Sequence, residues 1–498
     1  MSLLPKKDLL NQLLWSWNPE SNREAGSGIV ANFLLHWFPN RISLKSLAFR
    51  YSLYLGTIAG VLFLILTATG VVLMFLYVPS VERAYWSVKD LEHAVSFGWL
   101  MRGLHRVGAH LMVAVVFLHM FRVFLTGSYK SGRVVRSARP FNWVLGVALL
   151  VLTLVLSFTG YLLPWDQLAY WAITVGTNIA ASVPLVGEPM RQALLGGTII
   201  GQPTLIRFYV LHCFVLPLVL FGIVAWHMWR IRKDGGLAIV EQVRGEALER
   251  EPTLPKKTKT YSVLGIARGT TVQVSDPTTL NEDNSAPSTP FLTVRLLIVS
   301  LATFAGSLLL ALLVRAPLEV AANPEVTPNP AKAPWYFLGL QELVGYSALM
   351  GGVIVPALVL LALAAIPYVD REQRGIGTWF TDAAGRRWGL VGFAFGLLAT
   401  SGCLALAVLL PTRELFSGIE SQLFFDFVNP ATLLLVLAAG LYLAVLKKTG
   451  STRYAAIATF CAFMVAFVLL TYTGTALRGP NWDFYWPWQA WPEHATPL

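Results

Sequence analysis

Residues 103–122 read GLHRVGAHLMVAVVFLHMFR, and residues 208–230 read FYVLHCFVLPLVLFGIVAWHMWR. His105 and His119 lie 14 residues apart in the first stretch; His212 and His227 lie 15 apart in the second. Both stretches are apolar enough to be membrane helices, and at 1.5 Å per residue each histidine pair is separated by about 21–22 Å along its helix. Fourteen residues leave the helix about 40° short of its starting face and fifteen about 60° past it, so each pair stays on one broad side. Two such helices running parallel offer two stacked sites of two imidazoles each, one near either membrane face. Imidazole is an axial ligand of haem iron, and two imidazoles leave no open position for a substrate. The spacing predicts a path for electrons across a membrane.

Glycine repeats the interval on the flanking apolar runs. Gly56 and Gly70 are 14 apart, as are Gly146 and Gly160. A porphyrin edge wedged between helices needs positions without side chains. Close helix packing uses glycine too, but two glycine pairs that share the histidine interval favour the haem reading.

The 498 residues are 55% hydrophobic and only 13% charged, with a mean hydropathy of +0.59. A soluble chain would carry about a quarter charged residues. Runs long enough to span a bilayer, about 17–25 residues, fall near 53–77, 106–126, 141–163, 206–231, 291–314, 388–410 and 454–473, with shorter ones near 350–368 and 429–446. The expected fold is an all-α polytopic membrane protein, with a four-helix haem-binding bundle and a second block of about five helices. No cleavable signal peptide is evident at the polar start.

A net charge of +11 invites a nucleic-acid partner, but its distribution encodes topology instead. Lys130, Arg133, Arg136 and Arg139 follow the second span; Arg230, Arg232, Lys233, Arg244, Arg250, Lys256, Lys257 and Lys259 follow the fourth. Arg371, Arg374, Arg386 and Arg387 follow the sixth, and Lys447, Lys448 and Arg453 follow the eighth. Every second loop is basic, as the positive-inside rule requires. The N-terminus is then cytoplasmic and the C-terminus lies on the other side, with no nucleic-acid binding expected.

The chain divides into 1–50, an amphipathic segment at the cytoplasmic face with Trp15, Trp17 and Trp37; 51–233, the four-helix di-haem domain; 234–290, a polar cytoplasmic linker; 291–411, a second membrane domain; and 412–498, two further spans with the tail NWDFYWPWQAWPEH. That tail suits a non-helical interfacial segment, with a partner contact as the alternative. Cys213, Cys403 and Cys461 sit inside apolar runs with no CxxCH, so the expectation is two non-covalent b-type haems and inert thiols.

The second and fourth spans run in the same direction. The expected ligand pairs are His105 with His212 near the non-cytoplasmic face and His119 with His227 near the cytoplasmic face. Arg102, Arg106 and Arg122 lie within a turn of these ligands and suit haem propionates, with plain interfacial snorkelling as the other reading. His110 has no counterpart and reads as packing or a local hydrogen bond; His36, His93 and His494 carry no role.

The stretches GWLMRGLHRVGAHLMVAVVFLHMFRVFLTGSYK, FNWVLGVALLVLTLVLSFTGYLLPWDQLAYWA, TLIRFYVLHCFVLPL and HMWRIRKDG closely resemble the cytochrome b/b6 subunit of quinol–cytochrome c or plastocyanin reductases. The resemblance covers about residues 50–235, and the 15-residue interval resembles the b6 branch. Residues from about 291 to 410 resemble the second part of the family, fused here in one chain. The last two spans fit less clearly.

The resemblance implies that quinol is oxidised near the non-cytoplasmic face. One electron goes to a Rieske iron–sulfur protein and on to cytochrome c or a similar carrier, and the other crosses through the b haems to a quinone, in a Q-cycle. It also implies a homodimeric complex in a bacterial cytoplasmic membrane, embedded in lipid. The outer quinol site would draw on Pro164 and Trp165 within GYLLPWDQLAYW, and on Pro334, Trp335 and Tyr336. There the family's Pro-Glu-Trp-Tyr reads Ala333-Pro334-Trp335-Tyr336, so the glutamate that takes a quinol proton in relatives is missing. Glu342 is the nearest acidic substitute, with a structural role as its alternative. Arg232, Lys233 and Asp234 are candidates for the inner quinone site or simple anchors. Tyr54 stands where the b6 branch has a haem-linking cysteine, so no covalent haem c is expected. Given the missing glutamate, a di-haem conduit that does not bifurcate electrons is the second reading. A transporter or scaffold is the third, and it leaves both histidine and glycine spacing without a reason.

Overall fold

In a bilayer no water meets the backbone polar groups, so unbroken runs of leucine, valine, alanine and phenylalanine fold as helices that satisfy those groups internally. The computed structural model describes residue 21 and residues 38–131, 138–234, 236–238, 240–244, 270–274, 284–370, 372, 374–410 and 415–492. Among these are nine helices long and apolar enough to span a membrane. They are α1 (Leu55–Met74), α2 (Gly98–Leu125), α3 (Arg139–Tyr161), α4 (Gln202–Lys233), α5 (Ser288–Leu313), α7 (Met350–Val369), α8 (Ala383–Leu409), α9 (Pro430–Thr449) and α10 (Thr452–Leu477). A shorter helix, α6 (Trp335–Tyr346), sits between α5 and α7. The chain is an all-α polytopic membrane protein.

Two boundaries differ from the hydropathy reading. Helix α2 begins at Gly98 rather than 106, because Arg102 enters the helix with its guanidinium buried and paired. It binds Glu92 and the Ala316 carbonyl at 3.0 Å. In α4 the turn Leu211–Val215 is a π-helix. Pro217, just beyond it, cannot donate a backbone hydrogen bond. A π turn accommodates one extra residue, so the 15-residue histidine interval returns His227 to the side that a 14-residue interval reaches elsewhere.

The expected linker is more than a connector. Its end, Ser285–Pro287, pairs antiparallel with Arg41–Ser43, and Val240–Arg244 pairs with Thr270–Val274. Strands this short carry no readable periodicity. Trp15, Trp17, His36, Trp37, Arg133, Arg136, Arg250, Lys256, Lys257, Lys259, Arg371 and His494 lie outside the described residues.

Helix α2 packs on α1 and α5, α3 packs on α4, and α10 packs on α8, α9 and α6. The last two spans therefore do not stand apart from the second block, and a boundary at 411/412 cuts through one packed unit. Helix α10 meets the first bundle through aromatic stacking, as of Phe460 on Phe124, and through Arg453, expected from its position to be an interfacial anchor but fully buried. Its Nη2 donates to the last carbonyls of α2, Phe124 at 2.9 Å and Leu125 at 3.0 Å, where the helix dipole favours a cation. Nε donates to Thr381 Oγ1 at 2.9 Å and Nη1 to Tyr129 Oη at 2.9 Å, and Asp370 lies at 3.4 Å. Lys130 completes the cluster, 2.9 Å from Asp370. Burial, with Arg453 close by, pushes the Lys130 ammonium down to about 8, against the pull of Asp370.

Arg453→Met strips both helix-end carbonyls of their donor and removes one of the two cations beside the buried Asp370, which keeps Lys130. Breaking such a pair costs about 3–5 kcal/mol. The purified variant should melt at a clearly lower temperature, whereas Lys447→Ala, at an exposed position, should barely move it. Equal melting for the two would remove Arg453 as the lock.

Candidate functional site

The four histidines meet in pairs. His105 from α2 and His212 from α4 stand with ring centroids 6.2 Å apart and planes at 81°. Lower in the bundle, His119 lies within electrostatic range of His227. Each of the four glycines faces one imidazole. A side-chain carbon at Gly70 would stand 3.3 Å from His105, at Gly56 3.3 Å from His119, and at Gly146 3.9 Å from His227. At Gly160 it would overlap the His212 ring.

Hydrogen-bond bookkeeping assigns the protons of the first pair. His212 Nδ1 sits 3.1 Å from the Leu156 carbonyl, which can only accept, so Nδ1 carries the hydrogen. Thr69 Oγ1 lies 2.8 Å from His105 Nδ1 and spends its own proton on the Ile65 carbonyl at 2.7 Å. His105 Nδ1 must then donate to it. Both Nε2 lone pairs are left free. Thr159 backs His212 from 3.3 Å. Sequence reasoning missed Thr69 and Thr159, although each directly precedes a paired glycine. The other two glycines follow Leu55 and Leu145; there His119 Nδ1 is buried without a hydrogen-bond partner among the described residues, and His227 faces the Asn142 carbonyl.

The three arginines divide. Arg102 is engaged with Glu92 and with the Ala316 and Pro317 carbonyls, so it straps the loop after α5 to α2. Arg122 donates from Nε to the Tyr51 carbonyl at 2.9 Å and stacks over the Tyr51 ring at 4.3 Å, yet its buried Nη2 has no partner among the described residues. Arg106 borders the cavity beside the first histidine pair.

That cavity, of about 300 Å³, is bounded by His105, His212, Pro164, Asp166, Pro334 and Tyr336 among others. Burial pushes the Tyr336 hydroxyl up to about 12, so it remains a donor. Trp165 and Trp335 do not border the cavity. Trp165 is packed in the aromatic and aliphatic cluster beneath, and Trp335 donates from Nε1 to His110 Nδ1 at 3.1 Å. His110 therefore has a hydrogen bond, but not a local one: its partner is the first residue of α6, 225 positions along the chain. Asp166 caps the helix Gln167–Ala181 by accepting from Ala169 N at 2.9 Å and also accepts from Glu319 N at 3.2 Å. Burial pushes its carboxyl above the usual range.

Glu342 requires correction as a quinol-facing acid. It is fully buried on the far side of α6 and held by Arg478, whose Nη2 is 2.5 Å from Oε1 and Nε 2.9 Å from Oε2. Tyr346 Oη adds a bond at 2.6 Å and Trp482 Nε1 one at 3.1 Å. The Trp-rich tail anchors there through its first residues, while Trp486 stacks on Trp488 beyond. A carboxylate so saturated is a structural clamp. Of the inner candidates, Asp234 is buried and joins α4 to α3, accepting from Ala138 N at 3.1 Å and Arg230 at 2.9 Å. Lys233 is exposed and stands 5.7 Å over Trp229, an interfacial position. Arg232 is half-buried beside them.

A family described as cytochrome b/b6/petB matches residues 42–235. Cytochrome b6 of Synechococcus sp. (strain CC9311) is 42% identical over 210 residues, which make up 40% of this chain and 94% of that protein. Cytochrome b6 of Porphyra purpurea is 43% identical over the same length and covered to 95%. Among solved structures, a chain of a hyperthermophilic respiratory complex III superposes with a TM-score of 0.55 at 23% identity, covering 84% of this chain and 92% of that one. At that identity the likeness concerns the fold, and it extends through both blocks.

Arg478→Leu leaves the Glu342 carboxylate charged and short of its main partner, at a cost of about 3–5 kcal/mol. Amide exchange across 335–346 and 478–492 should accelerate. Adding Glu342→Leu should restore much of the protection, because an apolar pair of similar volume replaces a buried ion pair well. If the double variant exchanges as fast as the single one, Glu342 has a task other than clamping.

Proposed function

The chain belongs to the cytochrome b/b6 family of bc-type complexes, and from that premise we propose that it is the membrane subunit of a quinol:cytochrome c oxidoreductase that oxidises quinol at the outer cavity. The two electrons of the quinol divide, one to a Rieske iron–sulfur partner and then a cytochrome c-like acceptor, the other inward across the membrane. Both protons leave on the outer side. Family membership carries non-covalent b-type haem with it. The finer reading is two haems, His105 and His212 holding the outer one and His119 and His227 the inner.

The observation that carries this reading is the outer pair. Two metal–imidazole bonds of about 2 Å each, with the ring radii added, require centroids about 6 Å apart, and they stand at 6.2 Å. Their Nδ1 hydrogens are spent on Thr69 and Leu156, which leaves both Nε2 lone pairs free to hold a metal. Gly70 and Gly160 clear the space beside the rings. At the inner pair, the unpartnered Nη2 of Arg122 is a ready donor for a propionate. Bound in these sites, haem supplies one-electron carriers at two depths of the membrane.

The residues of this chain do the rest. Pro164, Pro334 and Tyr336 shape an apolar pocket that suits a quinol ring, and Asp166 staples its two loops together. Arg232, Lys233 and Asp234 lie at the end of α4 where an inner quinone would exchange protons. The basic alternate loops support a cytoplasmic N-terminus in a bacterial cytoplasmic membrane, and the resemblance supports a homodimeric complex.

Substituting either outer ligand, as in His105→Ala, should lower bound haem b from two to one per chain, with Thr69→Val shifting the spectrum but retaining both. Full haem content in His105→Ala would break the assignment. The clamp on Glu342 favours one rival, a di-haem conduit without bifurcation, and an oxidant pulse separates the two. With quinol present and the inner site inhibited, ferricyanide should make haem b more reduced. A haem b that only becomes oxidised establishes the conduit.

A further inference from the structure

The outer cavity contains a histidine that the haem sites do not use. His110 lies five residues after His105 on α2, a rotation of about 140°, so it faces away from the histidine pair and toward α6. Its imidazole borders the main cavity. It also borders a second one of about 160 Å³, lined by Arg106, Val107 and Val314–Pro317. His110 and Arg106 thus form the partition between them. The Tyr336 ring stands 5.7 Å from that of His110.

Trp335 decides the state of this imidazole. An indole N–H is only a donor, and it points at His110 Nδ1 from 3.1 Å. Nδ1 must therefore be the acceptor, which puts the ring in its neutral form with the hydrogen on Nε2. No residue among those described takes that hydrogen. A polar N–H in an apolar cavity without a partner costs free energy that a ligand oxygen can recover. The two carboxylates nearest in sequence to the cavity loops are committed: Asp166 accepts two backbone amides, and Glu342 is clamped by Arg478 behind α6.

We propose that His110 is the substrate-binding residue of the outer pocket, donating its Nε2 hydrogen to a ring oxygen of the quinol, with Trp335 as the positioning residue that holds the tautomer. The inference rests on reading the cavity as the quinol site. The donor serves both redox states, because a quinol hydroxyl oxygen and a quinone carbonyl oxygen each accept a hydrogen bond. It accounts for a histidine between two haem ligands, and for a tryptophan whose nitrogen is spent on that histidine.

Glutamine reproduces both contacts, its carbonyl accepting from Trp335 and its amide donating to substrate. Glutamate can accept from Trp335 but, ionised, donates nothing. The test compares His110→Leu, His110→Gln and His110→Glu in the intact complex, with decylubiquinol and menadiol as probes and the haem b spectrum as the control for folding. His110→Leu should lose about 5- to 100-fold in kcat/KM, the range for an unmade hydrogen bond in a buried site. His110→Gln should stay within a few-fold of wild type, and His110→Glu should fail like leucine. Trp335→Phe should reduce kcat/KM in the wild-type background and cost little more in His110→Gln, where there is no tautomer to hold. Wild-type kcat/KM in His110→Leu with haem intact overturns the proposal. So does an active His110→Glu beside an inactive His110→Gln, which would make position 110 a proton acceptor. Should the wild-type complex oxidise neither probe, the quinol reading of the cavity itself fails, a different result from an indifferent His110.

Discussion

Imidazole rings 6.2 Å apart between membrane helices leave the surrounding bundle few choices. Each ring has two nitrogens, and in a medium without water both must be accounted for. At the outer pair the protein takes one nitrogen of each ring with a threonine hydroxyl or a backbone carbonyl and leaves the other bare. That requirement selects Thr69 and Thr159 on α1 and α3, and glycine next to each, since a side chain there would strike the ring just oriented. The inner pair keeps the glycines but lacks the threonines, so the two sites are chemically unlike although the helices repeat the same interval.

Much of this was readable from spacing. Hydropathy located the spans, and the coincidence of histidine and glycine intervals named the residues that meet in the bundle. What escaped the sequence were contacts whose partners are far apart along the chain. Arg453 reaches Phe124 and Asp370; Glu342 reaches Arg478. A charge near the end of an apolar run reads as an interfacial anchor, because periodicity describes one helix at a time and says nothing of which neighbour arrives. Thr69 and Thr159 escaped for a related reason. A threonine in a membrane helix ordinarily bonds its own backbone, as both do, and only the proton count shows that a lone pair remains.

Helix α10 illustrates how such long-range charges set geometry. Arg453 pins its first turn to the carbonyl end of α2, and Arg478, directly after its last turn, grips Glu342 on α6. The helix is thereby fixed at both membrane faces to elements of the preceding blocks. Buried ion pairs contribute little net stability over apolar packing, but they tolerate few alternative arrangements. Here the arrangement they hold is the seating of α6 against α10, with Trp335 at His110 and Tyr336 at the cavity.

The loop that lacks its carboxylate is subject to the same cost of buried charge. Ionised, a carboxylate in an apolar pocket needs a cation or several donors, and Arg102, one of the two arginines at the cavity, is already spent on Glu92 and two carbonyls. A neutral imidazole held by an indole needs neither. It adds a directed hydrogen to the cavity without adding charge, and charge is what a low-dielectric pocket beside a haem site penalises most. The acidic residue of α6, Glu342, lies behind the helix, where an arginine neutralises it, and Tyr336 on the cavity side is uncharged.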